Sequence, residues 1–338
     1  MIPACFSQPN SPSSSPNSQL PSQNLVTCIY QTLFLDSPTH LTLTWSKTPL
    51  SHSLTIYAAD SFSITISLNP SSFSFFRTRP ASKSIYLTHH QHYSKIKIYW
   101  DFTRAVFTHN SAEPDSCFYV AVSCNAKPEF FLGDLQDELS RRTGLVVPAR
   151  KIGEPTLLSR REHVFGRRSY VSRAELLGSK HEIGIECSGG ALKVKVDGET
   201  RLVVKRLAWK FRGNQRIFVG GTEVEFFWDV FNWVQNNNKN KIDTSSNSYG
   251  VFIFQIGDGG VWPEMVGPEK KLMKKSLSAL KPNNASSLSL SSSSPSGSSV
   301  LQWAEESSDG GRSSCSSSTR SCGSNGGFSL LLYAWRKD

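Results

Sequence analysis

VVKRLAWKFRGNQRIFVGGTEVEFFWDVFNWV, residues 203–234, carries the strand and turn signals from which the fold class follows. Its start continues a strand over 201–211. Gly213-Asn214 marks a turn, RIFV (216–219) a strand, and Gly220-Gly221 a second turn before the aromatic strand EVEFFWDVFNWV (223–234). Alternating apolar and polar residues have the two-residue period of a half-buried strand. Just upstream, HEIGIEC (181–187) and ALKVKV (191–196) repeat that period. Asp197-Gly198 then predicts a two-residue hairpin, because a type I′ turn needs positive φ at both central positions. Downstream, YGVFIFQIG (249–257) predicts one more strand after the polar run 235–248.

The N-terminal half reads the same way. Strands are predicted at 24–35, 40–46, 53–58, 61–68, 73–77, 84–87, 95–102 and 117–123. In SFSITISL, Phe62, Ile64, Ile66 and Leu68 share one face and Ser or Thr the other. Residues 89–92 read HHQH, and strand geometry puts His89 on the face away from His90 and His92, so a loop tip is expected rather than a metal site. One helix is predicted at 132–144: Leu132, Leu135 and Leu139 lie on one face, Asp134 is the candidate cap, and Gly144 ends it. Between 145 and 182 the chain carries the basic pairs Arg150-Lys151, Arg160-Arg161 and Arg167-Arg168, and HVFGRRSYVSRAEL is read as a strand broken at Gly166, with a short helix capped by Ser172 and Glu175 as the competing reading.

Short strands separated by turn signals predict a mainly β fold, an antiparallel β-sandwich or barrel-like form with one short helix. KIKIYWDF (95–102) and EVEFFWDV (223–230) match position by position, with Trp100-Asp101 against Trp228-Asp229. An internal duplication is therefore expected within the core 24–265, as two similar β units over 24–144 and 145–265. Opposite charges at Lys95 and Lys97 against Glu223 and Glu225 predict that the two strands face each other.

The flanks differ from this core. Residues 1–23 contain seven Ser and five Pro, and residues 283–326 contain nineteen Ser. Both are too poor in large apolar groups to offset the entropy of ordering, so 1–23 and the Ser-rich linker 266–326 are expected to be disordered. The last twelve residues, 327–338, hold the apolar FSLLLYAW, expected to fold back as an edge strand, with a docking peptide adding a strand to a partner's sheet as the alternative. Seven Cys with no CxxC pair point to free thiols and a reducing, cytoplasmic or nuclear location. Residues 1–46 lack Lys and Arg, and no apolar run is long enough to span a bilayer, so neither a leader nor a transmembrane segment is expected. The net charge of +10 suits an acidic partner or an anionic membrane surface. Lys270, Lys271, Lys274 and Lys275 add a short basic run.

AWKFRGNQ (208–215), VEFFWDV (224–230), GVFIF (250–254), HVFGRRSYVSRAEL (163–176), FYVAV (118–122) and FFLGDL (130–135) together resemble the plant family catalogued as domain of unknown function 868. TLTWSKTPLSHSLTI (42–56) and GFSLLLYAW (327–335) fit the same pattern. The resemblance implies a plant protein with a Ser-rich C-terminal linker, and it carries over no catalytic residue.

No P-loop, dinucleotide fingerprint, GxSxG elbow or HExxH occurs in the sequence, and no catalytic residue, cofactor or metal site is assigned. Asp101 and Asp229, as solvent-side or turn-bonding residues on matching strands, need no catalytic role. The set Trp209, Phe211, Phe218, Phe226, Phe227, Trp228, Phe231 and Trp233 is read mostly as core. Strict alternation cannot put Phe227, Phe231 and Trp233 all on the face of Trp228, so a bulge or an outward aromatic face is expected. Phe227, Phe231 and Trp233 with Lys210, Arg212 and Arg216 form the candidate binding surface. The leading expectation is a non-enzymatic interaction or scaffold module, binding a protein partner or an anionic surface. An enzyme of unknown type and a carbohydrate-binding β-sandwich are the alternatives. Glu223 and Glu225 dilute the basic patch and weigh against nucleic acid.

Overall fold

The computed structural model describes residues 23–34, 37–58, 61–68, 79–89, 92–108, 111–146, 155–176, 178–236, 249–257 and 327–336. The N-terminal 1–22, the strand expected at 73–77, the Ser-rich stretch 266–326 and its lysine run lie outside the described residues. The first half runs β1 (Gln23–Phe34), β2 (Ser37–Lys47), β3 (His52–Ala58), β4 (Phe62–Ser67), β5 (Ala81–His89), β6 (His92–Asp101), β7 (Tyr119–Cys124), β8 (Lys127–Gly133) and α1 (Gln136–Thr143). The second runs β9 (Thr156–Gly166), β10 (Ser169–Leu176), β11 (Ser179–Ser188), β12 (Ala191–Val196), β13 (Glu199–Val204), β14 (Arg212–Val219), β15 (Thr222–Asp229), α2 (Phe231–Asn236), β16 (Tyr249–Ile256) and β17 (Phe328–Arg336).

These strands form three sheets. Two have four strands each, β5–β8 and β10–β13, and one has nine, in the order β14-β15-β16-β17-β9-β1-β2-β3-β4. Pairing is antiparallel except between β17 and β9, which run parallel. The small sheets bury their inner faces against opposite halves of the large one. One core joins Leu43, Trp45, Ile56 and Ile64 of β2–β4 to Ile96, Ile98, Val120 and Val122 of β6 and β7. The other joins Ile183, Ile185, Val194 and Leu202 of β11–β13 to Phe226, Trp228, Phe252 and Leu332 of β15–β17. Among the described residues the fold is thus sandwich-like and mostly β, with no closed barrel.

Register shows that both cores lie on the same face of the large sheet. Cys28 and Val26 of β1 stand opposite Arg160 and Glu162 of β9. Across β9, those two residues stand beside Leu330 and Leu332 of β17. A buried ionic cluster therefore fills the seam between the cores. The Arg160 guanidinium donates from Nε to Glu162 at 2.5 Å and from Nη1 to Glu113 at 2.6 Å, with Cys28 Sγ at 3.4 Å. A buried cation needs this many partners to offset its lost hydration.

Local chemistry explains most boundaries. The turn between β12 and β13 has Asp197 at φ 52° and Gly198 at φ 82°, as its sequence predicts. The strand expected over 201–211 stops at Val204, because Arg206 takes φ 58° and the chain turns through Leu207–Trp209. The strand expected over 223–234 stops at Asp229. α2 then carries Phe231 and Trp233 back over the end of the core, which resolves the alternation conflict without a bulge. Among the described residues there are therefore two short helices where the sequence predicts one. α1 starts at Gln136 because FFLG belongs to β8. Asp134 does not cap it: its carboxylate accepts the backbone N–H of Cys117 and Phe118 at 2.9 and 3.0 Å.

Residues 328–336 do fold back, but not as an edge. β17 sits inside the large sheet between β16 and β9, with Ser329–Trp335 buried throughout. The expected charge pairing of KIKIYWDF with EVEFFWDV is also corrected. β6 pairs with β5 and β7 in a small sheet, and β15 pairs with β14 and β16 in the large one. Glu223 and Glu225 face Arg216, while Lys97 lies over Tyr99. Among the described residues no helix is long and apolar enough to cross a membrane.

Candidate functional site

The second core is open at one end, where several turns converge. Arg167 and Arg168 form the bend between β9 and β10. Gly189 and Gly190 form the β11–β12 turn at φ 59° and 72°. Leu207 and Ala208 belong to the turn after β13, Val230 and Trp233 come from the β15–α2 junction, and Arg336 ends β17. Together with Ser169, Cys187, Ser188 and Ala191 they line a cleft of about 1300 Å³. That exceeds the ~300–1000 Å³ usual for a small-molecule pocket.

Main-chain hydrogen bonds hold these turns in place. Cys187 N–H donates to Arg168 O at 2.7 Å, Leu207 N–H to Gly190 O at 2.8 Å, and Trp233 N–H to Val230 O at 3.0 Å. The floor is apolar. The Trp233 ring stacks on Tyr170 at 5.4 Å between centroids and packs on Phe252 at 5.7 Å. Its close approach requires Gly250, where a Cβ would fall 2.9 Å from the indole. The buried Trp233 indole N–H finds no acceptor among the described residues.

The rim is cationic. Arg167 and Arg168 are exposed and form no ion pair with any described residue. The Arg336 guanidinium lies 5.7 Å over the Trp233 ring and hydrogen-bonds the Tyr170 hydroxyl. Among the described residues no carboxylate or histidine lines the cleft. Burial pushes the Cys187 thiol up to about 12 against the opposing effect of Arg336, so it stays protonated at neutral pH. Burial likewise pushes Tyr170 up to about 12.

The residues expected to form a binding surface are dispersed. Only Trp233 reaches the cleft, and it is buried rather than outward. Phe227 is buried too, on the opposite face of the large sheet with Val251, Ile253, Leu331 and Tyr333. Phe231 is half-buried against Phe211. Arg212 is held by Asp229 at 2.8 Å and lies over Phe231, and Arg216 pairs with Glu223 at 3.0 Å. Lys210 is exposed, and its carbonyl accepts the Trp228 indole N–H at 2.9 Å. Conversely, Trp209 and Phe218, read as core, are 85% and 58% exposed. The cleft residues Arg167, Arg168 and Arg336 were legible as charges but not as neighbours, because they come from strands 168 positions apart.

Other candidates resolve as structural. The Asp101 carboxylate accepts from Thr103 N–H and Oγ1 at 2.9 and 2.6 Å, and Asp229 accepts Phe231 N–H at 2.9 Å. They sit in different sheets and form no catalytic pair. His163 is buried in the large sheet, and His181 Nδ1 bonds Asp197 at 2.6 Å. His90 and Gln91 lie outside the described residues. No group of three metal-ligating side chains occurs among the described residues.

A family model described as "Plant protein of unknown function (DUF868)" matches residues 21–336. No curated protein and no solved structure matches the chain.

Proposed function

We propose, for a chain that belongs to the DUF868 family of plant proteins, a non-enzymatic binding module whose site is the arginine-rimmed cleft of the second core. Its ligand carries an anionic group on an apolar body. The observation that supports this is one juxtaposition: Arg167, Arg168 and Arg336 stand around a floor of Leu207, Ala208, Val230 and Trp233. Guanidinium groups favour phosphate and carboxylate oxygens, while the floor favours hydrocarbon. Among the described residues the lining holds no histidine or carboxylate, and the Cys187 thiol is held protonated, which weighs against an enzyme. A sugar-binding face would need coplanar exposed Trp rings, and Trp209 is the one strongly exposed Trp among the described residues. Free thiols at Cys28, Cys117 and Cys187 support a reducing location.

Calorimetric titration with dodecyl phosphate, dodecyltrimethylammonium and inorganic phosphate tests the reading. Dodecyl phosphate should bind best, and R167Q/R168Q should weaken it about tenfold or more, since charge-assisted hydrogen bonds are each worth ~1.5–3 kcal/mol. Equal affinity for the cationic and anionic amphiphiles, or none for either, would refute it.

Duplication of one β unit accounts for the paired cores. β6 and β15 are each the second strand of a four-strand meander, β5–β8 or β14–β17, which supports it. Each ends in Trp-Asp, with the Asp side chain accepting a main-chain N–H two residues on.

A further inference from the structure

The turn after β13 forms one lip of the cleft. Trp209 is 85% exposed, the most solvent-open large aromatic among the described residues. It is not exposed through a loose backbone. Arg206 O accepts the N–H groups of both Trp209 and Lys210, at 2.9 and 3.0 Å, Leu207 N–H is tied to Gly190 O, and the Trp228 indole holds Lys210 O. The indole is thus presented to solvent by a clamped turn. Lys205, Arg206 and Lys210 surround it, all exposed and none in an ion pair with a described residue. On neighbouring strands Glu186 is taken by Lys195 and Asp229 by Arg212. Arg167 and Arg168 continue the same uncompensated charge across the cleft.

We infer that the turn Lys205–Lys210 docks the cleft onto an anionic bilayer surface, Trp209 entering the headgroup region, so that the ligand is a lipid drawn from that surface. This rests on the cleft reading and names its ligand source. Trp is favoured at the membrane–water interface, where its ring is in apolar surroundings and its N–H in polar ones. Clustered Lys and Arg are drawn to anionic headgroups within a Debye length of the surface. The apolar floor then lies directly behind the lip that meets the membrane.

Sedimentation of the full chain with vesicles tests this. Phosphatidylcholine vesicles containing phosphatidylserine should bind it, phosphatidylcholine alone should not, and high salt should release it. W209A and K205Q/K210Q change exposed side chains and should keep the melting temperature. The double variant should bind the anionic vesicles at least tenfold more weakly, at about fivefold per cation removed. W209A should also lose the blue shift of tryptophan emission on vesicle addition, yet bind dodecyl phosphate as the unmodified chain does. If both variants bind vesicles normally, the membrane inference is overturned while a retained dodecyl phosphate signal leaves the cleft standing. Trp209-dependent vesicle binding without dodecyl phosphate binding would uphold the docking turn and remove the cleft. Binding to an oligonucleotide but to neither vesicle would overturn the inference in favour of nucleic acid.

Discussion

Acid should destabilise this protein through one buried imidazole. His163 stands on β9 on the face of the large sheet turned away from both cores, 2% exposed, stacked on Tyr333 at 4.8 Å and Trp335 at 6.0 Å. Its Nδ1 accepts the Trp335 indole N–H at 3.1 Å, which fixes the tautomer with hydrogen on Nε2. Protonation would set two N–H groups against each other and place a second cation beside Arg161. Burial first, and Arg161 second, push its pKa down from 6.5 to about 3. Between those values the unfolded chain binds a proton that the folded chain refuses. Stability is therefore whole above pH 6.5 and falls as the pH drops, by about 1.4 kcal/mol per unit. The full loss by pH 3 is about 5 kcal/mol, comparable with the whole stability of many domains. Urea unfolding from pH 7.5 to 4 should be measured for the native chain and for His163→Gln. The substitution imposes a roughly constant cost for the altered Trp335 contact, but it removes the titration. The native chain's advantage should shrink with a slope near 1.4 kcal/mol per unit below about pH 6. A pH-independent difference would refute the reasoning, since every other group cancels between the two proteins.

Two further perturbations test the packing. Gly213→Ala would put a Cβ 2.2 Å from Trp228 Cζ2, so the ring must shift and strain its bond to Lys210; a loss of about 2–4 kcal/mol is expected by chemical denaturation. Gly184→Ala, where the nearest atom is 3.6 Å away, is the control, and equal losses would contradict the packing. Ending the chain at residue 326 removes β17 with its buried Leu330, Leu331, Leu332, Tyr333 and Trp335. At ~1.5–3 kcal/mol each this approaches or exceeds the net stability of a domain. The truncated chain should lack a cooperative melt, and an unchanged melting temperature would rule out an interior β17.

The strands legible in the sequence are those with one wet face. Phe62, Ile64 and Ile66 alternate with exposed Ser and Thr in β4, and Leu192, Val194 and Val196 alternate with Lys193 and Lys195 in β12. β9 was hidden for the opposite reason. Its SRREH run looks like a solvated charge cluster, yet Ser159–Val164 is buried in mid-sheet. Only distant partners, Glu113 and Cys28 for Arg160, make that tolerable, and local pattern cannot report them. The apolar character of β17 was visible, but its interior place depends on β9 and so was not. At the site, aromatic density misled. Arg206 turns the chain and throws Trp209 out, while α2 turns Trp233 in, and both effects come from backbone geometry at one residue or one junction.

Hydrogen–deuterium exchange with and without dodecyl phosphate tests the central claim most directly, because it locates the ligand without presuming the site. The account predicts added protection at 167–169, 187–191, 205–209 and 230–233, and at the end of β17, with β1–β8 unchanged. Protection centred on the first core, or on the Arg216 edge of β14, would contradict it.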